Sequence, residues 1–225
     1  MSGPLTDCFA EKLFQELATT GKLLFVIAGH NGAGKSTYYS ERLKEQLAPF
    51  LEERHIDPDV IERAIRDSQP GLPLSPKGWS IKAMRLADEE RQSNIEGGAN
   101  FSFETVFSDS VGHKIAFLQR AIAQGYTVAL LFIGLESPEH SSRRVAIRVA
   151  RGGHGVPEDK IYSRYPRVLS NIKRACGLVQ IALLVDNSDE SPDGSGRYRE
   201  VAVYHRGRLV CETDDKKPTW FASFD

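Results

Sequence analysis

The sequence predicts an α/β protein built on a mainly parallel sheet with helices on its faces. Three observations predict it. Apolar runs of strand length alternate with stretches of helical periodicity. The stretch IAGHNGAGKST, residues 27–37, joins one such run to a helix through a glycine-rich pattern that cradles phosphate. At 225 residues with 40% hydrophobic content, the chain is long enough to bury one good core.

Taken in order, LLFVIA (23–28) is the clearest strand, and a helix over 36–47 follows it, closed by Pro49. FLEERHI leads, as a weaker second strand, to Asp57. Pro70, Pro73 and Pro76 mark a loop, after which Ile81, Met84, Ala87, Arg91 and Ile95 form one stripe of a helix ending near Gly97 and Gly98. FSFETVF (101–107) is the third strand, followed by a helix to Gly125, and TVALLFIGL (127–135) is the fourth. Two basic helical stretches, 143–151 and 157–175, come next, with a kink expected at Pro166. IALLV (181–185) is the fifth strand. Past the loop DNSDESPDGSG, the segment YREVAVYHRGRLVCET reads as a hairpin turning at Arg206 and Gly207. The expected architecture is therefore a five-stranded, mainly parallel sheet flanked by helices, with a C-terminal β-hairpin. It forms a single domain over 1–225, with its core over 20–188 and the hairpin and tail over 197–225. Trp220 and Phe221 are expected to dock onto that core.

With 29 Lys+Arg against 30 Asp+Glu, the net charge of −1 gives no whole-chain reason to expect nucleic acid or anionic lipid as a partner. Cys8, Cys176 and Cys211 lack metal-ligand spacing, and their odd number points to reduced, buried thiols. The N-terminus lacks a basic flank followed by an apolar run, and no segment approaches the roughly 20 apolar residues of a membrane span. A cytoplasmic location is expected.

Gly29-x4-Gly34-Lys35-Ser36 fits the P-loop pattern at every fixed position, between a buried strand and a helix. Its backbone amides, with Asn31, Gly32, Ala33 and Thr37 around them, would wrap a triphosphate at the positive end of the following helix. Lys35 would meet the β and γ phosphates, and the Ser36 hydroxyl would ligate Mg²⁺. The glycine spacing of GHNGAG excludes a dinucleotide fingerprint. ATP and magnesium are the expected cofactors.

Acids at the C-terminal ends of the strands face the same edge as this loop. Asp57 and Asp59, in HIDPD, follow the second strand, and Glu104 interrupts the third, next to Thr105. Because that apolar run ends in glutamate rather than aspartate, a simple ATPase is disfavoured. Transfer to an alcohol would use Asp59 to take the acceptor proton, although D-x-x-E from Asp59 to Glu62 also resembles a helix-capping box. Asp57, Glu104 and Thr105 are expected on the acceptor side, with Glu104 contacting substrate or Mg²⁺. Residues 143–174 hold nine Lys or Arg against two acids, Glu158 and Asp159. Arg144, Arg148 and Arg151 share a helix face there, suited either to a γ-phosphate clamp or to solvent. A nucleic-acid surface, with Tyr162 and Tyr165 as stacking platforms, is a third reading of the same segment.

The motifs GHNGAGKST, HIDPD, FSFETVFS, GYTVALLFIGLESPEHSSRRVAIRVARGGHGVP, RYPRVLSNI and VDNS, spread over 23–188, together resemble the zeta-toxin family of P-loop kinases in a short, stand-alone form. The best-known members phosphorylate a hydroxyl of UDP-N-acetylglucosamine. The resemblance implies that Lys35 is the phosphate lysine, Ser36 the magnesium ligand, Asp59 the catalytic base, Glu104 a substrate-side glutamate and Arg148 an ATP-contacting arginine. It also implies an antitoxin as a possible partner protein. The chain departs from the better-known toxins at GGHGVP, where His154 stands near the place of a second arginine. His154, Arg151 and Arg164 are the contenders for that second clamp. Two other activities share the cradle: a polynucleotide 5′-hydroxyl kinase, and a non-catalytic module whose partner binding is gated by nucleotide.

Overall fold

The computed structural model describes residues 4–51, 54–69, 71–189 and 197–224. Among these residues, seven strands, β1 (Leu23–Gly29), β2 (His55–Ile56), β3 (Phe101–Thr105), β4 (Thr127–Gly134), β5 (Ile181–Asp186), β6 (Arg199–His205) and β7 (Arg208–Glu212), form one sheet. Their order is β2-β3-β1-β4-β5-β6-β7. The first five are parallel, and β6 and β7 extend the same sheet as an antiparallel hairpin. Every residue of β1, β3, β4 and β5 is buried, which is why these strands read as continuous apolar runs rather than as alternating ones. The hairpin turns at Arg206 and Gly207, both at positive φ, as expected of a tight two-residue turn.

Helices cover both faces. On one lie α1 (Pro4–Thr20) and the helical segment after β1, which runs through α2 (Lys35–Tyr38), a π-helical turn (Tyr39–Leu43) and α3 (Lys44–Leu51). On the other lie α5 (Pro76–Gly97), α6 (His113–Ala123) and α8 (Glu158–Cys176), with the C-terminal 3-10 turn Thr219–Phe224. Two helices stand by the strand ends, α4 (Pro58–Ser68) directly after β2 and α7 (Pro138–Ala150) after β4.

The helix α1 has no counterpart in the expected layout. Leu5, Phe9 and Leu13 bury its apolar side, and Phe9 meets Phe25 of β1 edge-on at 6.2 Å. Its start is fixed from β6, where Glu200 Oε2 accepts from the Leu5 and Thr6 amides at 2.9 and 3.1 Å. Its far end is fixed by Glu16, which accepts from Arg206 at 2.6 and 2.8 Å. Lying across this end of the sheet, α1 brings Cys8 to Cys211 of β7, and the structure pairs them in a disulfide. That corrects the expectation of three reduced thiols: Cys176 alone is free, and it is buried. A bridge spanning 203 residues left no spacing signal to read.

Three further boundaries differ. Phe50 and Leu51 end α3 instead of starting a strand, so β2 shrinks to two residues. Pro49 lies inside α3, which runs only two residues beyond it. The buried stripe of α5 is Trp79, Ala83, Ala87, Arg91 and Ile95, while Ile81 and Met84 are exposed. Packing against α4 turns the helix: Ser80 donates to Glu62 at 2.7 Å and Arg66 lies over the Trp79 ring at 5.7 Å. Pro70 falls outside the described residues, and Pro76 opens α5. The tail docks as expected. Trp220 packs edge-on against Phe132 at 5.3 Å and donates Nε1–H to Asp186 at 2.9 Å. Gly134 makes room for it, since a Cβ there would stand 2.6 Å from the indole. Among the described residues, no helix is long and apolar enough to cross a membrane.

Candidate active site

The loop between β1 and α2 carries the phosphate pattern and is braced from several sides. Gly32 and Gly34 adopt positive φ of 72° and 84°, the backbone that lets successive amides turn inward. Ser141 of α7 donates to the Asn31 carbonyl at 2.6 Å. Asn187 donates to Ala33 O at 2.9 Å and Tyr198 to Gly34 O at 2.8 Å. Behind the loop, His30 stacks on Tyr165 at 4.3 Å, and its Nδ1 accepts the Leu135 amide at 3.2 Å. Burial, reinforced by the Lys35 charge, pushes the His30 pKa down to about 3, so the ring is neutral.

Lys35 Nζ donates to the carbonyls of Gly29 and His30, both at 3.2 Å. Burial lowers its pKa, and the nearby carboxylates of Glu104 and Asp59 oppose that shift. Arg148 lowers it and Asp57 raises it. Those four residues, sensed by one lysine, come from α7, β3 and the start of α4. The register that pairs Ile27 with Glu104 sets the glutamate beside the P-loop strand. There Glu104, 5% exposed, accepts from Ser36 Oγ through Oε2 at 3.0 Å. Its Oε1 is buried without a hydrogen-bond partner. The Thr105 hydroxyl accepts the Phe107 amide at 3.0 Å.

Asp57 caps α4 by accepting the Asp59 amide at 2.8 Å. Capping thus falls to Asp57, and the Asp59 carboxylate is left to project from the first turn. Burial, then the Glu104 charge, raises the Asp57 pKa. Asp59 Oδ2 lies 3.3 Å from His154 Nε2, and both side chains are more than half exposed at the cleft mouth. His154, a clamp contender in the sequence, therefore meets the candidate base in this arrangement. Gly153 packs against the Arg148 stem, where a Cβ would stand 2.6 Å from Cγ, and donates its amide to the Arg148 carbonyl at 2.9 Å. The Nε and Nη2 of Arg148 are buried without hydrogen-bond partners.

These groups line one cleft of 1710 Å³. Asn31, Gly32, Gly34, Lys35, Ser36 and Thr37 floor it, and Asp57, Asp59, Glu104, Thr105, Arg148, Arg151 and His154 also face it. Gly29 and Ala33 are not among its lining residues. Beyond Glu104, Lys114 and Arg164 line the same cleft. Burial and then Arg91 lower the Lys114 pKa, and burial and then Arg167 lower that of Arg164. Like charges held together at this cost suit an anionic ligand. Arg167 and Asn171 of α8 hold the loop after β3 through the carbonyls of Ser108, Phe107 and Asp109, at 3.2, 3.0 and 2.9 Å.

Sequence reasoning missed the P-loop supports. Asn187 lies in VDNS, a stretch that stood out without an assigned task, and nothing local marked Tyr198. Tyr165, read as a stacking platform, instead donates to Leu135 O and Glu136 O at 2.8 and 2.9 Å and stacks behind the loop.

The sequence pattern described as Zeta toxin matches residues 10–206. No curated protein matched the chain. Among solved structures, the fold is similar to a chain of the AvrRxo1-ORF1:AvrRxo1-ORF2 complex with sulphate ions, at 21% identity and a TM-score of 0.64. That match covers 92% of this chain and 67% of the other. The same complex with ATP matches at 21% identity and a TM-score of 0.65, over 90% of this chain and 65% of that one. The chain thus spans about two thirds of the length of the AvrRxo1 chains it matches. A chain from the PezAT toxin-antitoxin system of Streptococcus pneumoniae matches at 18% identity and a TM-score of 0.49, over 84% of this chain and 80% of that one.

Proposed function

This chain belongs to the zeta toxin family, and on that premise we propose that it is an ATP- and magnesium-dependent kinase. It transfers the γ-phosphoryl group to a hydroxyl of a small anionic molecule, a UDP-sugar such as UDP-N-acetylglucosamine being the acceptor class of choice. The observation that carries the proposal is the convergence of Lys35, Asp59, Glu104 and Arg148 on one cleft floored by the P-loop. Lys35 leaves its two carbonyls to hold the β and γ phosphates, and the loop amides hold the rest. Asp59, free of the capping task, accepts the proton of the acceptor hydroxyl as the new bond to phosphorus forms. Arg148, whose side chain lines the cleft, neutralises charge gathering on the transferred group. Lys114 and Arg164 grip the anionic part of the acceptor.

The residues fit a magnesium ion. The Ser36 hydroxyl is a hard oxygen group of the kind this ion takes beside phosphate oxygens, and the buried Glu104 carboxylate, which accepts its proton, would hold its lone pairs toward the ion. Bound there, magnesium would neutralise charge on the phosphates. An antitoxin partner is part of the proposal by family likeness.

A polynucleotide acceptor is the less favoured alternative, because of the two tyrosines read as stacking platforms Tyr165 is occupied behind the P-loop and Tyr162 alone stays exposed. The test is to incubate the protein with γ-labelled ATP and a soluble metabolite extract. Label in one anionic, hydroxyl-bearing small molecule is expected. Label released only as inorganic phosphate would overturn the kinase proposal.

A further inference from the structure

We propose that His55 is a positioning residue for the metal side of this site, acting on Ser36 through Glu104 without touching nucleotide; the proposal rests on the kinase function above. The strand β2 is only two residues long, yet its first residue is held by two neighbours, Ser102 and Tyr39. The parallel register sets His55 beside Ser102, and Glu104 follows two residues on along the same face of β3. His55 Nδ1 lies 2.7 Å from the Ser102 hydroxyl. The imidazole is stacked on Tyr39, with centroids 3.8 Å apart and planes 11° apart.

Tyr39 opens the π-helical turn that interrupts the helix after the P-loop. Such turns hold an extra residue at poorer hydrogen-bond geometry and gather at functional sites. This one sets a buried tyrosine ring flat on the histidine. Held in this way, His55 turns Nε2 toward Glu104 Oε1 at 3.6 Å. That oxygen is the buried one with no hydrogen-bond partner, while its twin takes the Ser36 hydroxyl proton at 3.0 Å. The proposed role takes Nδ1 as the acceptor of the Ser102 hydroxyl proton, the tautomer that leaves the Nε2 proton facing Glu104. His55 then fixes the carboxylate from behind, the carboxylate fixes the Ser36 proton, and the serine lone pairs are left for the metal. Support of this kind behind a metal ligand is typically worth about 10- to 100-fold in metal affinity.

The experiment is Mn²⁺ titration, read by electron paramagnetic resonance, of the protein saturated with ATP, alongside ATP binding in EDTA and thermal melting. His55→Phe keeps a flat ring on Tyr39 and removes both nitrogens. It is expected to weaken Mn²⁺ binding about tenfold, with ATP affinity in EDTA unchanged. His55→Gln, which returns a donor near Nε2, is expected to recover most of the loss. Ser102→Ala, which leaves the imidazole in place but unaligned, is expected to fall between wild type and His55→Phe, and it serves if the Phe variant does not fold. Wild-type Mn²⁺ affinity in His55→Phe or, where that variant does not fold, in Ser102→Ala would overturn the proposal. An equal loss of ATP affinity in EDTA would overturn it too, by showing a merely structural role. A wild-type protein that binds no ATP would instead refute the kinase function on which the proposal stands.

Discussion

Gly34→Ala tests whether the phosphate loop works through its backbone shape. Gly34 has φ +84°, and a left-handed conformation costs a residue with a Cβ about 1–2 kcal/mol. The added carbon would stand 2.5 Å from the Tyr198 hydroxyl and 3.0 Å from Asn187 Nδ2. The tyrosine must therefore move, breaking its 2.8 Å bond to the Gly34 carbonyl, a bond worth about 0.5–1.5 kcal/mol net. The two costs together are roughly 1.5–3.5 kcal/mol, and both are relieved when the loop abandons its phosphate-wrapping shape. They should surface as a loss of ATP affinity of about tenfold to about three-hundredfold. Calorimetric titration with Mg·ATP measures it. Gly21→Ala is the control, because Gly21 has φ +67° but nothing within 4 Å of an added Cβ. It should lower the melting temperature and leave ATP affinity alone. If Gly34→Ala binds ATP within about threefold of wild type, less than 0.7 kcal/mol, the strained loop is not what holds the triphosphate.

Two further outcomes follow from the charges in the cleft. Burial holds the Lys35 pKa below its ordinary value, so the penalty on the folded state is absent above the unfolded lysine pKa and complete below the folded one. Lys35→Met should therefore melt higher than wild type at pH 7 while losing ATP binding, and a lower melting temperature would contradict that sign. If Arg148 serves the transferred group from the cleft wall, Arg148→Ala should keep the fold and lose about 10²-fold or more in transfer rate, as removal of a donor to developing charge does. An unchanged rate would return this arginine to a packing role against Gly153.

The features closest to the chemistry were the most legible in the sequence. Parallel central strands are apolar on both faces, so LLFVIA, TVALLFIG and IALLV announced themselves, and the P-loop pattern between a strand and a helix placed Lys35 and Ser36. Strand-end logic pointed Asp57, Asp59 and Glu104 at the same edge, and all three line the cleft. The misses arise from long-range contacts. The helix α1 is fixed by Glu200, His205 and Arg206, nearly the whole chain away. Its disulfide and the Tyr198 brace on Gly34 likewise join distant segments. At the start of α5 a local stripe was visible, but the α4 contact, which no periodicity reveals, selected a different one. The division of labour between Asp57 and Asp59 also needed coordinates, because the sequence offered Asp59 as the cap and only geometry gives that task to Asp57.

The central claim is that Asp59 and Lys35 work across one cleft on one migrating phosphoryl group. It is tested most directly by single-turnover transfer of labelled phosphate from ATP to an acceptor isolated from metabolite extract, comparing wild type with Asp59→Asn at saturating ATP. The variant should bind ATP as wild type does and transfer about 10²- to 10⁴-fold more slowly. Transfer at the wild-type rate would remove Asp59 from the chemistry and contradict the account.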